Sequence, residues 1–455
     1  MDMQKIVTYC KNYGFVFQGS EIYDGFANTW DFGPLGVELK NNVKKAWWKK
    51  FVQESKNTYG VDAAILMNPR TWQASGHVDS FSDPKMDCKK CKQRFRADNL
   101  IEEFTNGKVT AEGMTNEQMQ EYINENKIKC PHCGSFDWSE IKEFKLMFET
   151  SRGTVEGEKD SVYLRPETCQ GEYVNFLNIQ RTQRAKLPFA IAQIGKSFRN
   201  EITPGNFLFR TIEFEQMELQ KFCKEEDSMN IYETTKKEAL EFVKSLGLPE
   251  EKLRFHDHDK LAHYAKAACD IQYEFPIGWE ELNGIHHRGT WDLSRHSEFS
   301  GKSLAYLDPD TNEKIIPTVI EYSIGADRLT LALLCELYSE ETLENGQTRE
   351  VLKINPSLAP YKVAVFPLIK KVHSDKANEI FDLLSKNYMT VYDETQSIGK
   401  RYRRQDAIGT PYCITVDDET LNNNTVTVRE RDTMKQETIK IEDLEKYLSE
   451  RIKTY

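Results

Sequence analysis

Residues 197–222 read SFRNEITPGNFLFRTIEFEQMELQKF. Two strand-like runs flank Pro204-Gly205, a pair that favours a tight turn. Alternation puts Arg199 and Glu201 on one face of the first run, and Arg210, Ile212, Phe214, Gln216 and Glu218 on one face of the second. If the runs pair, the shared face holds guanidinium groups, one aromatic plate and carboxylates. A salt-bridged, solvated sheet face has the same composition. The alternative is a nucleotide platform: arginine grips phosphate oxygens with a planar fork, a ring stacks on a base, and a carboxylate accepts from an exocyclic amine.

The chain of 455 residues has room for two or three domains with their own cores. No apolar run approaches the roughly 18 residues of a membrane span. The opening MDMQKIVTYCKNYGF lacks the basic and apolar regions of a secretion signal. A cytoplasmic, reducing setting is expected, where the ten cysteines are thiols or metal ligands. A net charge of −11 argues against a nonspecific nucleic-acid coat protein. The acidic excess lies before Asn355, and beyond it the charges balance. Nucleic acid would have to be met by a local basic patch, such as Lys400-Arg401-x-Arg403-Arg404.

Pro34 suits the first turn of a helix, and Leu35, Leu39, Val43, Trp47 and Phe51 recur every four residues, predicting a helix to about 55. VDAAILMNP (61–69) is β-rich and reads as a following strand. The spacing predicts a charged helix over about 224–246 and an apolar helix from Gly325. INPSLAP (354–360) has linker composition. Beyond it strands and helices alternate, which predicts a separate small α/β domain.

Cys88-Lys-Lys-Cys91 and Cys130-Pro-His-Cys133 are two knuckles that together supply four soft ligands, the set of a structural tetrahedral zinc site. Thr115 and Gln118 between them form a possible capping box. His256, His258, His286 and His287 have no spaced third ligand and are read as core or solvated side chains, not as a second metal site.

Phe198-Arg199-x-Glu201, a loop, then Arg210 and Phe214 resembles motif 2 of class II aminoacyl-tRNA synthetases. The unit ending at Pro69 resembles motif 1, and Gly325-Ala-Asp-Arg328 resembles motif 3. WDFGPLGVELKNNVKKAWW, LRPETCQG, FEQME and HYAKAACDIQYEFPIGWEEL narrow the resemblance to the homodimeric glycyl-tRNA synthetase family, over nearly the whole chain. The fold so implied is α+β: the class II antiparallel sheet flanked by helices, a zinc-knuckle insertion, and a C-terminal α/β anticodon-binding domain. Its expected boundaries are 1–353 for the catalytic domain, with a zinc-binding insertion at 85–155 and a helical insertion at 222–262, and 354–455 for the anticodon-binding domain.

The reaction implied by the resemblance is activation of glycine with ATP and Mg²⁺, then transfer to the 3′ end of tRNA(Gly). Arg199, Arg210 and Arg328 are the implied catalytic cations. ATP contacts are implied for Arg199, Asn200 and Glu201; for Phe209, Arg210, Thr211, Ile212, Glu213 and Phe214; for Glu281, the magnesium carboxylate, and Leu282; and for Gly325, Ala326, Asp327 and Arg328. Glu167, Glu218 and Glu321, with Ser323, are implied to ring the glycine ammonium, and Arg96 to face its carboxylate. The remaining implied glycine contacts are Phe214, Glu215, Gln216, Met217, Arg288, Tyr322, Ile324 and Gly325. A pocket too small for one methyl excludes every larger amino acid, so no editing domain is expected.

The sequence departs from the family at Tyr322, where a proline is expected, at Ile212, where a further arginine is common, and at Glu280, where a glycine is usual. A homodimer without membrane association is expected. The competing reading is a synthetase-like protein that binds nucleic acid without catalysis. Retention of Arg199, Glu201, Arg210, Phe214, Glu281 and Arg328 argues against it.

Overall fold

Strand alternation gives a sheet two unlike faces, and that division organises the main body of the chain. The computed structural model describes residues 2–111, 113–153, 160–201, 205–258, 261, 265–344 and 346–453, so the turn expected at Pro204 lies outside the described residues. Seven strands form the central sheet: β1 (Thr58–Gly60), β2 (Phe189–Phe198), β3 (Glu213–Cys223), β4 (Leu253–Asp257), β5 (Ala267–Phe275), β6 (Gly278–Gly289) and β7 (Thr318–Gly325). Their spatial order is β4-β5-β6-β7-β3-β2-β1, and every pair is antiparallel except β1 with β2.

Met217, Leu219, Ile320, Tyr322 and Ile324 belong to the main core on one face. The helices that clothe the sheet include α1 (Pro34–Trp48), α2 (Cys169–Val174), α3 (Glu225–Ser245), α4 (Trp291–Ser300) and α5 (Ala326–Leu337). The helices α1, α3 and α5 bury Leu39, Val43, Trp47, Tyr232, Phe242, Leu329 and Leu333 in that core. Each such side chain contributes about 1.5–3 kcal/mol when fully buried. The predicted helix from Pro34 forms with proline at its first position, and a π-helical turn over Lys49–Gln53 prolongs it. On the other face α2, α4 and the helix Phe176–Gln183 share a second apolar cluster with the sheet, built on Tyr173, Phe176, Phe189, Phe222 and Leu293. Beyond this cluster, that face carries polar side chains and borders a cavity.

The insertion is a three-stranded sheet of Ser82–Asp87, Arg94–Arg96 and Lys142–Lys145, backed by two helices and its own core of Met86, Leu100, Ile101, Met119, Ile123 and Trp138. The capping box forms in full: Thr115 Oγ1 accepts from Gln118 N and Gln118 Oε1 accepts from Thr115 N.

Three sequence expectations are revised. VDAAILMNP is not a strand of the sheet: β1 lies before it, and Asn68 caps a short helix that starts at Pro69. Asn-Pro can end a strand or open a helix, and packing chose the helix. Among the described residues of 222–262, expected as a helical insertion, α3 packs in the main core and β4 forms the sheet edge. INPSLAP is not a free linker, since Ile354, Leu358 and Ala359 are buried in the same core and Asn42 Nδ2 donates to the carbonyls of Leu358 and Ala359.

The C-terminal part has β8 (Val363–Pro367), α6 (Lys370–Leu384), β9 (Thr390–Tyr392), α7 (Ile398–Ile408), β10 (Tyr412–Val416), β11 (Thr425–Glu430), β12 (Gln436–Lys440) and α8 (Leu444–Arg451). The strands lie in the order β9-β8-β10-β11-β12 around a core that includes Val365, Ile380, Leu384, Ile414 and Val428. The basic run at 400–404, offered above as the local patch that nucleic acid would meet, is part of α7. Arg401 is buried and donates to the carbonyls of Pro367, Glu394, Thr395 and Gln396, while Arg404 pairs with Asp393.

Asp406 on α7 is fully buried and holds two guanidinium groups, Arg429 at 2.7 Å and Arg349, from the main body, at 3.3 Å. Arg431 donates to the carbonyls of Gly409 and Ile354 across the same junction. Removing one partner of a buried ion cluster leaves uncompensated charge. Asp406→Ala is therefore expected to destabilise the chain by about 3–5 kcal/mol in urea unfolding.

Candidate active site

Strand register places the polar side chains. In β3, Gln216 lies opposite Gly325 of β7, Glu218 opposite Ser323, and Gln220 opposite Glu321. Glu218 and Glu321 are thus diagonal neighbours on one face, and both are almost fully buried. They line a cavity of about 490 Å³ together with Glu167, which precedes α2.

Each carboxylate has a dedicated set of donors. Glu218 accepts from Ser323 Oγ at 2.9 Å, from Gln216 Nε2 at 3.3 Å and from Thr168 Oγ1. Glu321 accepts from Gln220 Nε2 at 3.1 Å and from Arg288 Nη1 at 3.3 Å, and it pairs with His286 Nδ1 at 2.8 Å. Glu167 accepts from Gln170 Nε2 at 2.8 Å and lies 3.5 Å from His77 Nε2. Burial and the neighbouring Glu321 and Glu167 carboxylates push Glu218 up to about 7. Burial opposes ionisation of Glu321 too, but Arg288 and His286 outweigh it and hold that carboxyl below its usual range.

The arginines sit beyond the strand ends. Because β2 stops at Phe198 and β3 starts at Glu213, Arg199, Glu201, Arg210 and Ile212 are not ladder residues, and the face expected from their alternation does not form as a regular sheet. Arg199 donates from Nε to Pro166 O at 3.0 Å, and its guanidinium lies 5.6 Å from the Phe81 ring centre and 5.5 Å from that of Phe214. Arg210 lies 3.6 Å from Glu201. Arg328, on the first turn of α5, sits over Phe209 at 4.4 Å and pairs with Glu281 at 3.1 Å. Arg199, Glu201, Arg210 and Arg328 line the cavity together with Phe81, Phe209, Phe214 and Glu281. It therefore joins a cationic, aromatic part to a carboxylate-lined part. Glu281 keeps a half-exposed carboxylate, a hard oxygen donor that fits a magnesium ion.

Several expected contacts face elsewhere. Met217, Tyr322, Ile324, Leu282 and Ala326 are core residues, because strand alternation turns them to the apolar side or helix packing buries them. Glu213 pairs with Lys196 near the surface, and Asn200 bonds through its backbone to Leu146. Ile212, Asn200 and Glu213 do not line the cavity. Glu215 borders it, but its carboxylate is held by Lys40 and Lys44, each at 3.0 Å. Asp327 likewise braces the scaffold: it accepts from Lys40 Nζ at 3.0 Å and from Glu215 N at 2.8 Å. Arg288 lines the cavity with its fork on Asp292, at 2.7 and 2.9 Å. Arg96 is brought there by the insertion, with its guanidinium on Asp83 at 3.2 Å and Asp98 at 2.6 Å.

Gln216, Ser323, Gly325 and Thr211 line the cavity. Phe81, Asp83, Leu146, Leu208, Gly284 and His286 do so without having been anticipated. Alternation from Arg288 along β6 could have found His286 and Gly284. No local pattern marks the others.

Away from the cavity, Cys88, Cys91, Cys130 and Cys133 bring their sulfurs within 4.8 Å of one another, with Cys88–Cys133 at 3.6 Å and Cys91–Cys130 at 3.7 Å. Four thiolates about 2.3 Å from a tetrahedral ion stand roughly 3.8 Å apart, so this set can hold one such ion with little movement.

Two family models match the chain: the tRNA synthetase class II core domain (G, H, P, S and T) over residues 148–338, and the anticodon binding domain over 362–451. The fold is similar to that of Giardia lamblia prolyl-tRNA synthetase in complex with prolyl-adenylate, with a TM-score of 0.64 at 16% identity, covering 97% of this chain and 75% of that one. Curated relatives named glycine--tRNA ligase match from end to end. That of Clostridium beijerinckii is 58% identical, covering 98% of this chain and 97% of the relative. That of Geobacillus kaustophilus is 56% identical over 99% of each. With such identity over nearly its whole length, the chain belongs to the glycine--tRNA ligase family.

Proposed function

We propose that the chain joins glycine to tRNA(Gly) in two steps at the cavity described above. The observation that carries this reading is one cavity lined by three carboxylates, Glu167, Glu218 and Glu321, and by three arginines, Arg199, Arg210 and Arg328. A carboxylate set suits an ammonium group, and the arginines suit a triphosphate. In the first step a glycine carboxylate oxygen attacks the α-phosphorus of ATP. The new O–P bond forms as the bond to the bridging oxygen breaks, and pyrophosphate leaves. A ribose hydroxyl of the terminal adenosine of tRNA then attacks the acyl carbon, and AMP leaves.

The substrate supplies the nucleophile of the first step, so the protein's task is positioning and charge neutralisation. Arg199 meets the α-phosphate, held in plane by Pro166 O and two aromatic rings. Arg210 and Arg328 take the outer phosphates, exchanging Glu201 and Glu281 for phosphate oxygens. Phe214 offers a stacking surface to adenine. Magnesium carried with ATP neutralises phosphate charge, and Glu281 would hold it. Glu218 and Glu321 take the glycine ammonium, while Arg288 and His286 fix Glu321. Arg96 serves the glycine carboxylate after loosening its pairs with Asp83 and Asp98.

We assign catalysis to residues 1–353 and anticodon reading to 354–455, in the cytoplasm, by a two-fold dimer. Support for the dimer is that β1, next to the motif 1 helix, forms the outer edge of the central sheet, where a second copy can be met. Burial of Arg401 and the pairing of Arg404 with Asp393 speak against these two as RNA contacts, and they leave the exposed Lys400 and the partly exposed Arg403 as the cations of that run. The four thiolates are assigned to a structural zinc ion that holds the insertion, and so Arg96 and Asp83, against the cavity.

Arg199→Ala is expected to slow glycine-dependent ATP–pyrophosphate exchange by a few hundred-fold, the effect of losing a preorganised donor to developing charge at about 3–4 kcal/mol. A loss under about tenfold would reassign the residue. An ammonium ligand favours ionised Glu218, so glycine binding should weaken as pH falls below about 7, approaching tenfold per unit. Calorimetric titration between about pH 8 and 6 checks this, and Glu218→Gln should remove the dependence along with affinity. Protein washed in a mild chelator should retain one tightly held zinc ion per chain, released by a thiol-blocking mercurial and lost in Cys88→Ser/Cys91→Ser.

A further inference from the structure

His258, Asp270 and His286 each bring one ligand atom within 4.8 Å of the others. They come from the edge of the central sheet: His258 just follows β4, Asp270 lies on β5 and His286 on β6. Register causes the meeting. Asp270 lies opposite His256 of β4 on one side and Gly284 of β6 on the other. His258 Nε2 stands 2.8 Å from Asp270 Oδ2. The His286 ring lies beside Gly284, where a Cβ would sit 3.2 Å from His286 Nε2 and 3.5 Å from Asp270 Oδ1. The missing side chain therefore leaves a space bordered by both atoms.

His286 is also oriented as metal-bound imidazoles are. Its Nδ1 faces the Glu321 carboxylate at 2.8 Å, so Nδ1 carries the proton and Nε2 is the nitrogen left to bind. We propose that His258, Asp270 and His286 form a site for one divalent transition metal ion of the zinc, cobalt or nickel class. Two imidazoles and one carboxylate suit these ions, whereas magnesium and calcium prefer oxygen alone. Ligand atoms 2.0–2.1 Å from a tetrahedral zinc lie roughly 3.3–3.5 Å apart, so movements of about an ångström close the set. The site is separate from the four thiolates and does not depend on the glycine reading. His286 lines the cavity and touches Glu321, so a bound ion would pin the ring that fixes this carboxylate.

The test uses the full chain with its thiolate site filled, dialysed to equilibrium against micromolar Zn²⁺ and analysed for metal content. One additional zinc ion per chain is expected, and His258→Ala and His286→Ala should each lose it while keeping the thiolate-held ion. Titration of the same wild-type protein with Co²⁺ should give weak visible bands of a nitrogen–oxygen site, with no new thiolate charge-transfer band. Wild-type protein that takes up no ion beyond the thiolate-held one overturns the proposal. So does undiminished uptake by both variants.

Discussion

Burying carboxylates without enough positive charge to answer them is the constraint on which this site rests. An ion withdrawn from water costs several kcal/mol unless it is paired and hydrogen-bonded. Here the compensation is uneven. Glu321 has Arg288 and His286, and Arg288 is in turn clamped by Asp292. Glu218 has mainly neutral donors, Ser323, Gln216 and Thr168, and its carboxyl sits near the point of protonation. A cation that enters this part of the cavity supplies the charge that the protein withholds. The ammonium group of an amino acid with no side chain is such a cation, and it can be gripped from all sides by polar groups.

A second buried ion group keeps the platform in place. Lys40 of α1 bridges Glu215 of β3 and Asp327 of α5, and Asp327 also accepts from the Glu215 backbone. The group ties the strand that carries Glu218 to the helix that carries Arg328. Residues that look like ligand contacts by position therefore act one step back from the cavity. The C-terminal junction works in the same way, through Asp406 and its two arginines.

Alternation along β3 and β7 was enough to tell Glu218, Glu321 and Ser323 from Met217, Tyr322 and Ile324, because successive side chains of a strand point to opposite faces of the sheet. The spacing of the two CxxC pairs and the capping box were also legible, because they depend on contacts between near neighbours. The linker-like INPSLAP and the basic run of α7 misled for the opposite reason. Composition reports solubility, while burial of Ile354 and of Arg401 depends on what packs against them.

The sequence by itself determined the family, the two strands with their polar face, the three arginines and the four thiolates, since these are carried by residue type and short spacing. Tertiary structure alone decided that the arginines stand past the strand ends, that Asp83 reaches the cavity from the insertion, and that His258 and His286 acquire Asp270 between them. Each of these meetings joins residues from different strands or from a separate sheet. Register and packing set such distances, and no local pattern of residues encodes them.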